Sequence, residues 1–489
     1  MLVNCRRLYT NSLLKSRRET EKWPQINADL RRFAFICGLL IVLSVNAGAA
    51  QVHSRVTISI SDAPEVRIEA ELSKPIRSWS FLNAYAGVLG IAERVDDFRA
   101  ITGSGQDAGA KKIATGEFRS DLDATRISYK VKVSEITAAN VSHVSWLTGD
   151  NGVLMLADLL PQDFTDPSID FALPAGWQIK NSNTRLNEKA VFLVGRSLTK
   201  TSTSIEQMPL DLIVSGAWKF KDSAALNVAG KVLKKYWELT GYRLPGRSTV
   251  LIAPLPVAVG STKWRAETRG STVLLLIDPA ANFTNWIGQL GVIFTHELLH
   301  LWVPNSLQLD GDYDWFFEGF TLYTALRTAL TLKIISFKEY LATLARVYDS
   351  YLAYTDDLSL IDASERRWTT SGSFVYDKGM LAAFLYDLLV RTESGGKITL
   401  ADKYRELFNR HAADHVNGNE AIIAVLGSSP AAKDFAKSYI ENSTRLELER
   451  LLPAYGLTLD ASGSSSQLRV SRGLNPDQKR LLRSLGLRD

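Results

Sequence analysis

Cysteine is almost absent. The chain has two in 489 residues, Cys5 and Cys37, both within the first fifty. Beyond that stretch no disulfide framework, thiol nucleophile or thiolate metal site is available. Any metal must be held by His, Asp or Glu. Histidine is scarce as well, with six residues, so a His pair at ligand spacing carries weight. A basic excess is missing where it would matter. Of 57 Lys/Arg and 52 Asp/Glu, the first fifty residues hold eight and three, which leaves 49 of each sign elsewhere. A nucleic-acid partner would need a basic footprint, and the bulk of the chain has none. Long apolar runs are limited to Phe33–Val45, short of the roughly 20 residues a spanning helix needs.

That run follows Arg31-Arg32 and precedes Ala47-Gly-Ala-Ala50. Charge, an apolar stretch and then small residues make up a secretory signal peptide. The sequence therefore predicts a leader over 1–50 and a secreted or periplasmic protein. Cleavage would leave no membrane insertion; an uncleaved leader would act as an anchor. The remainder, at 46% apolar and 22% charged overall, is ordinary for a soluble globular chain. A wholly disordered chain, a collagen and a polytopic membrane protein are excluded.

Residues 51–211 read as short alternating runs: Arg55–Ile60, Glu65–Ala70 and Thr125–Val133. Period-two alternation predicts half-buried strands, hence an all-β, sandwich-like domain. The pattern changes near Lys221. Ser223–Thr240 reads as an amphipathic helix, and Ser248–Ala253 and Ser271–Ile277 as strands. After Asn282 the chain reads as helical. Capping boxes at Ser336-Phe-Lys-Glu339 and Thr399-Leu-Ala-Asp402 mark two helix starts. From Ser462 a Ser/Gly-rich and then basic stretch predicts a flexible tail over 462–489. The expected class is α+β, with the second domain over 212–461.

The chemistry is concentrated in His296-Glu297-Leu-Leu-His300. On a helix, i and i+4 share a face one turn apart, so both imidazoles can hold one metal ion. Glu297 sits at the edge of that face, within reach of a metal-bound water. With six His in the chain, about 0.004 H-E-x-x-H matches are expected by accident, so chance is not the explanation. The flanking residues are apolar, and buried imidazoles and carboxylates are costly unless paired or metal-bound. Zinc needs a third protein ligand and an open position. A G-x-x-H continuation is excluded by Val303 and Ser306. A Glu from the following helix is the other common solution, and Glu318 lies in Asp314-Trp-Phe-Phe-Glu318-Gly-Phe-Thr-Leu-Tyr323. Asp314 is the next candidate for that position.

H-E-x-x-H followed by W-F-x-E-G-F-T-x-Y resembles the gluzincin aminopeptidases, and most of all the glycyl aminopeptidase family. Phe171-Ala-Leu-Pro-Ala-Gly-Trp177 is similar to that family's P-x-G-W signature, and the helix starting Tyr376-Asp-Lys-Gly379 to its Y-x-K-G helix. The likeness runs from about Val52 to Leu459. It departs at Val303-Pro304, where the family has Asn and a basic residue, and in a His300–Glu318 gap of 17 residues.

The resemblance implies an aminopeptidase that releases N-terminal residues from peptide substrates, with a thermolysin-like zinc peptidase domain, a helical C-terminal part and one Zn²⁺ on His296, His300 and Glu318. It implies that Glu297 is the general base and that Tyr376 donates to the oxyanion. It aligns Glu267, in Trp264-Arg-Ala-Glu267-Thr-Arg-Gly-Ser, with a carboxylate that holds a substrate's α-ammonium. Two rival readings stay open: an endopeptidase with the same zinc chemistry, and a peptide-binding module without turnover. His411 and His415 share the i,i+4 spacing but read as solvated side chains. Asp310-Gly-Asp-Tyr-Asp314 reads as an ordinary acidic loop, since Trp315 stands where a calcium loop needs glycine. His143 has no partner visible in the sequence.

Overall fold

The computed structural model describes residues 53–488, apart from 61–64, 182–185, 260–262, 281–282, 370, 462 and 464. The predicted leader and both cysteines lie outside the described residues. Alternation builds the first layer. In β2 (Glu65–Ser80), Val66, Ile68, Ala70 and Leu72 are buried while the residues between them face outward. The strand pairs with β1 (Ser54–Ile60) and β7 (Glu117–Lys132). Three more strands, β5 (Val95–Ile101), β6 (Lys111–Ala114) and β10 (Ser168–Ala172), complete a six-stranded sheet. A short hairpin, β3 (Ala84–Tyr85) and β4 (Val88–Leu89), stands apart from it.

A second sheet runs β11 (Gln178–Lys180), β12 (Val191–Gly195), β9 (Asn151–Met155) and β8 (Trp146–Thr148). The two sheets share one core: Ile58, Ile68 and Tyr129 of the first meet Leu154, Phe192 and Val194 of the second. The expected sandwich is thus present. Between β7 and β8 the chain is pinned by a buried ion pair. Asp158 accepts from Arg94 Nη1 at 2.7 Å, from the Ser145 amide at 2.7 Å and from the Ser145 hydroxyl at 2.6 Å. Full hydrogen bonding is what makes a buried pair tolerable.

The third sheet is mixed. Its order is β13 (Leu198–Ile205), β14 (Met208–Ser215), β15 (Ser248–Pro254), β17 (Thr272–Ile277), β16 (Trp264–Arg269). The β14–β15 and β15–β17 pairs are parallel, and both faces of such strands need cover. Alternate residues separate accordingly. Val250, Ile252, Val273 and Leu275 face the helical side. Leu251, Ala253, Leu274 and Leu276 meet Trp146, Val153 and Leu193 of the second sheet. The boundary expected at residue 211 falls inside β14. The β13–β14 hairpin pairs with β15, so Leu198–Ser215 belongs with the mixed sheet.

Helix α1 (Asp222–Thr240) ends at Gly241, whose φ of 69° supplies the left-handed cap. Helix α2 (Phe283–Leu299) carries the H-E-x-x-H motif. A π-helical turn, Trp315–Phe320, leads into α3 (Thr321–Thr331). Then come α4 (Phe337–Leu352), α5 (Leu360–Glu365), α6 (Gly372–Glu393) and α7 (Leu400–His411). Both predicted capping boxes are formed, at α4 and α7.

The stretch expected to be a flexible tail is folded. β18 (Leu457–Asp460) pairs with β19 (Gln467–Val470), and α8 (Pro476–Ser484) follows. Leu482 and Leu485 are fully buried, and Arg391 of α6 reaches Ser484. The basic residues sit on the outer face of an amphipathic helix whose leucines face the protein. Among the described residues no helix is long and apolar enough to cross a membrane.

Candidate active site

Three side chains converge at the end of α2. The helix ends at Leu299, but the His300 amide still bonds the His296 carbonyl, which keeps one helical turn between the two imidazoles. Their Nε2 atoms are 3.0 Å apart. Glu318 Oε2 lies 3.3 Å from His296 Nε2 and 3.5 Å from His300 Nε2. Ligand atoms about 2.0–2.2 Å from a tetrahedral zinc are about 3.3–3.6 Å from one another, so the donor set fits that ion in type, and both Glu318–imidazole separations fit it in spacing, with the imidazole pair somewhat closer. The other ring nitrogens are held: His300 Nδ1 by the Val303 carbonyl at 2.9 Å and His296 Nδ1 by Thr321 Oγ1 at 3.4 Å. Such partners fix ring orientation for a metal. Burial alone would lower the pKa of His300, but the Glu318 carboxylate outweighs it and holds it up to about 9. Metal binding needs the imidazole nitrogens free of protons, so it releases any proton held there.

Glu318 sits in the π-helical turn, a local widening that re-aims a side chain. Neighbouring Gly319 explains how close that turn comes to α6. A Cβ on Gly319 would lie 2.5 Å from the Gly379 Cα, and one on Gly379 would lie 2.9 Å from the Gly319 Cα. Only two glycines allow this approach, which is the physical reason for the glycine of Tyr376-Asp-Lys-Gly379. The lysine of that motif acts elsewhere. Lys378 Nζ donates to the Leu358 carbonyl at 2.6 Å and anchors the approach to α5. Its burial lowers it to about 8.

The close approach brings Tyr376 beside the ligands. Arg367, in the loop between α5 and α6, joins them. Its Nη2 donates to Glu318 Oε1 at 2.8 Å and to the Tyr376 hydroxyl oxygen at 2.7 Å, and its Nη1 donates to Asp314. Burial would raise the Glu318 carboxyl, but Arg367 and the imidazoles hold it well below the ordinary carboxylate range. Burial pushes the half-buried Tyr376 phenol well above its ordinary value, so it keeps its proton. Since Arg367 donates to the phenol oxygen, the phenol's own hydrogen faces the Glu318 carboxylate, its other hydrogen-bond partner.

Glu297 faces the same region from the other side. Its Oε2 accepts from Thr268 Oγ1 at 2.8 Å, and the same hydroxyl lies 2.9 Å from the Glu297 carbonyl. Burial raises the Glu297 carboxyl despite both imidazoles. Glu267 is one residue before Thr268 on the edge strand β16, and adjacent strand residues face opposite ways. Its carboxylate is engaged at both ends. Oε1 accepts from Arg269 Nε at 2.7 Å, and Oε2 is 2.5 Å from His143 Nδ1. Tyr85 of the β3–β4 hairpin is a third partner. Burial is more than offset by Arg269 and His143, which bring Glu267 down to about 2.

The structure thus gathers His296, His300, Glu318, Glu297 and Tyr376, while Glu267 sits one residue from Thr268 on the other face of β16, already paired with Arg269 and His143. Three participants had no sequence assignment: Thr268, Arg367 and His143. His411 and His415 lie outside, at the end of α7, towards Asp414 and Asp310. Asp314 is tied to Arg367.

No family model and no curated protein matches the chain. Solved structures do. An aminopeptidase N family protein from Idiomarina loihiensis superposes with a TM-score of 0.72 at 18% identity, over 84% of this chain and 81% of that one. An M1 zinc metallopeptidase from Deinococcus radiodurans gives 0.50 at 14% identity, over 81% of this chain and 95% of that one. A point mutant of the latter, bound to a Tyr-Ser-Ala substrate, gives 0.50 at 13%. The fold is therefore that of the M1 zinc metallopeptidases. The resemblance to gluzincin aminopeptidases is matched at the level of architecture.

Proposed function

We propose that the protein is a zinc-dependent peptidase that hydrolyses peptide bonds with water. The observation that carries this is the convergence of His296, His300 and Glu318 donor atoms, all within 4.8 Å of one another, between Glu297 and Tyr376. A single Zn²⁺ held by those three residues would supply Lewis acidity and lower the pKa of water. Glu297, oriented by Thr268, takes a proton from the attacking water and passes it to the leaving amine. Burial suits it to this, because a carboxyl with a raised pKa holds a proton more readily at neutral pH. Tyr376 donates its hydrogen to the developing oxyanion without carrying charge. Arg367 steadies both the Glu318 carboxylate and the Tyr376 oxygen. The leader sequence supports export to the periplasm or the medium.

A second reading, release of N-terminal residues, has the support of the names of the neighbouring structures. It requires Glu267 to exchange its present partners for a substrate ammonium. The retained Glu297 speaks against a module without turnover.

The test is metal analysis with peptide hydrolysis. One zinc per chain is expected, with activity lost on chelation and restored by zinc. Peptide hydrolysis indifferent to chelation would overturn the proposal. Within it, Tyr376→Phe removes one oxyanion donor and should cost on the order of 10²–10³ in kcat. Interactions made only in the transition state lower kcat and kcat/KM together, so KM and zinc content should hold. Steady-state kinetics on the Phe variant check this, and wild-type kcat would remove Tyr376 from the mechanism.

A further inference from the structure

The carboxylates bordering the site are all matched. Glu318 is shared by two imidazoles and Arg367, Asp314 is held by Arg367, and Glu297 by Thr268. Glu267 has Arg269 on one oxygen and His143 on the other. The Arg269 contact is built in. Residues i and i+2 of a strand share a face, so a guanidinium at 269 lies beside a carboxylate at 267. Glu267 and Arg269 are 9% and 6% exposed, too buried for solvent to loosen the pair. The surroundings reinforce it. Arg269 Nη2 donates to the His143 carbonyl at 2.9 Å, and its Cζ lies 4.1 Å over the Tyr85 ring.

His143 is no loose surface residue. Val141 and Val144 beside it are buried, Trp146 Nε1 bonds the Val141 carbonyl, and Ser145 is clamped by Asp158. Tyr85 links this cluster to the site: its ring lies under Arg269, Gly87 of the same hairpin packs against the Trp368 ring, and Arg367 stands 4.2 Å over that ring. A substrate ammonium arriving here meets a carboxylate already neutralised by the buried Arg269 guanidinium and paired with His143. Displacing Arg269 would leave a buried charge unpaired, which is strongly unfavourable.

We infer, on the zinc-peptidase reading above, that the site takes peptide segments with no free ammonium on the residue before the scissile bond. Arg269 supplies within the chain the cation that an exposed Glu267 would demand from a substrate. The substrate class is N-acylated peptides and internal peptide bonds. Arg269 is the specificity-determining residue, working by charge: a free α-ammonium is disfavoured because it finds no unmatched carboxylate.

The test uses the zinc-loaded full chain and one peptide prepared with a free and with an acetylated N-terminus, cut after its first residue and read by mass spectrometry. The acetylated form should show a kcat/KM at least tenfold higher. Calorimetric binding of the same pair to metal-free protein gives a readout without turnover, and the acetylated form should bind more tightly. Arg269→Gln should narrow or reverse both ratios, chiefly through KM, at unchanged zinc content. Should that variant fail to fold, the double variant Glu267→Gln with Arg269→Gln, which removes both charges, should keep the acetyl preference. A wild-type preference for the free amine would overturn the inference and leave the zinc peptidase standing. Zinc-loaded protein that neither binds nor cuts either form would overturn both.

Discussion

Glu297→Gln is expected to lower kcat by on the order of 10²–10⁴-fold or more, the range a positioned general acid–base supplies, while zinc stays at one per chain. Glu297 is not among the three converging donors; its carboxylate accepts from Thr268 instead. Glutamine keeps the length and an oxygen for that hydrogen bond, so the helix end and the ligand spacing should survive. What it loses is the ability to take a proton from water. Metal analysis and kinetics on the same preparation separate the two roles. Loss of stoichiometric zinc would show that the ligand set is wrong, and near-normal turnover would place the base elsewhere.

Substitution of Glu318 should act the other way round, removing zinc and, with it, activity. Two imidazoles alone leave a zinc site one protein ligand short. The choice of substitution matters because Glu318 also balances Arg367. Glu318→Ala leaves that buried guanidinium with Asp314 as its remaining carboxylate, and breaking a buried pair costs about 3–5 kcal/mol. Glu318→Gln keeps an oxygen towards Arg367 and loses only the ligand's charge. Gln should therefore weaken zinc binding with a small shift in Tm, and Ala should abolish it with a large one. Zinc competition against a chelating dye, with thermal melts, checks both. Full occupancy in the Ala variant would move the third ligand to another carboxylate, Asp314 first.

What the sequence revealed was local. The i,i+4 histidines, the capping boxes and the glutamate in its aromatic setting are legible because the helix fixes their relations within a few residues. The π-helical widening that aims Glu318 is not, since nothing in Trp315–Phe320 differs from ordinary helix. His143 and Glu267 are 124 residues apart, and only the packing of the second sheet on the mixed sheet joins them. Arg367 stands in a loop with no motif around it. Arg269 is different: two positions along a strand is a relation that the sequence itself carries. The C-terminal helix carries a local signal too. Asn475-Pro-Asp-Gln478 forms a capping box, but the Ser/Gly-rich stretch ahead of it pointed to a tail. The boundary at 211 failed because β14 looks like the strands before it, and pairing partners are not written in a strand's own pattern.

The contact between Gly319 and Gly379 bears on the entropy of activation. Where two helices meet through side chains, their spacing fluctuates as rotamers exchange. Here Cα faces Cα, so no rotamer lies between the Glu318 turn and the Tyr376 helix. The spacing of the two backbones that carry Glu318 and Tyr376 is then fixed when the chain folds and need not be found again in each catalytic cycle. Adding one methyl at either glycine would push the helices apart by the width of the group. It would turn a fixed distance into a fluctuating one, with the chemistry of every reacting residue unchanged.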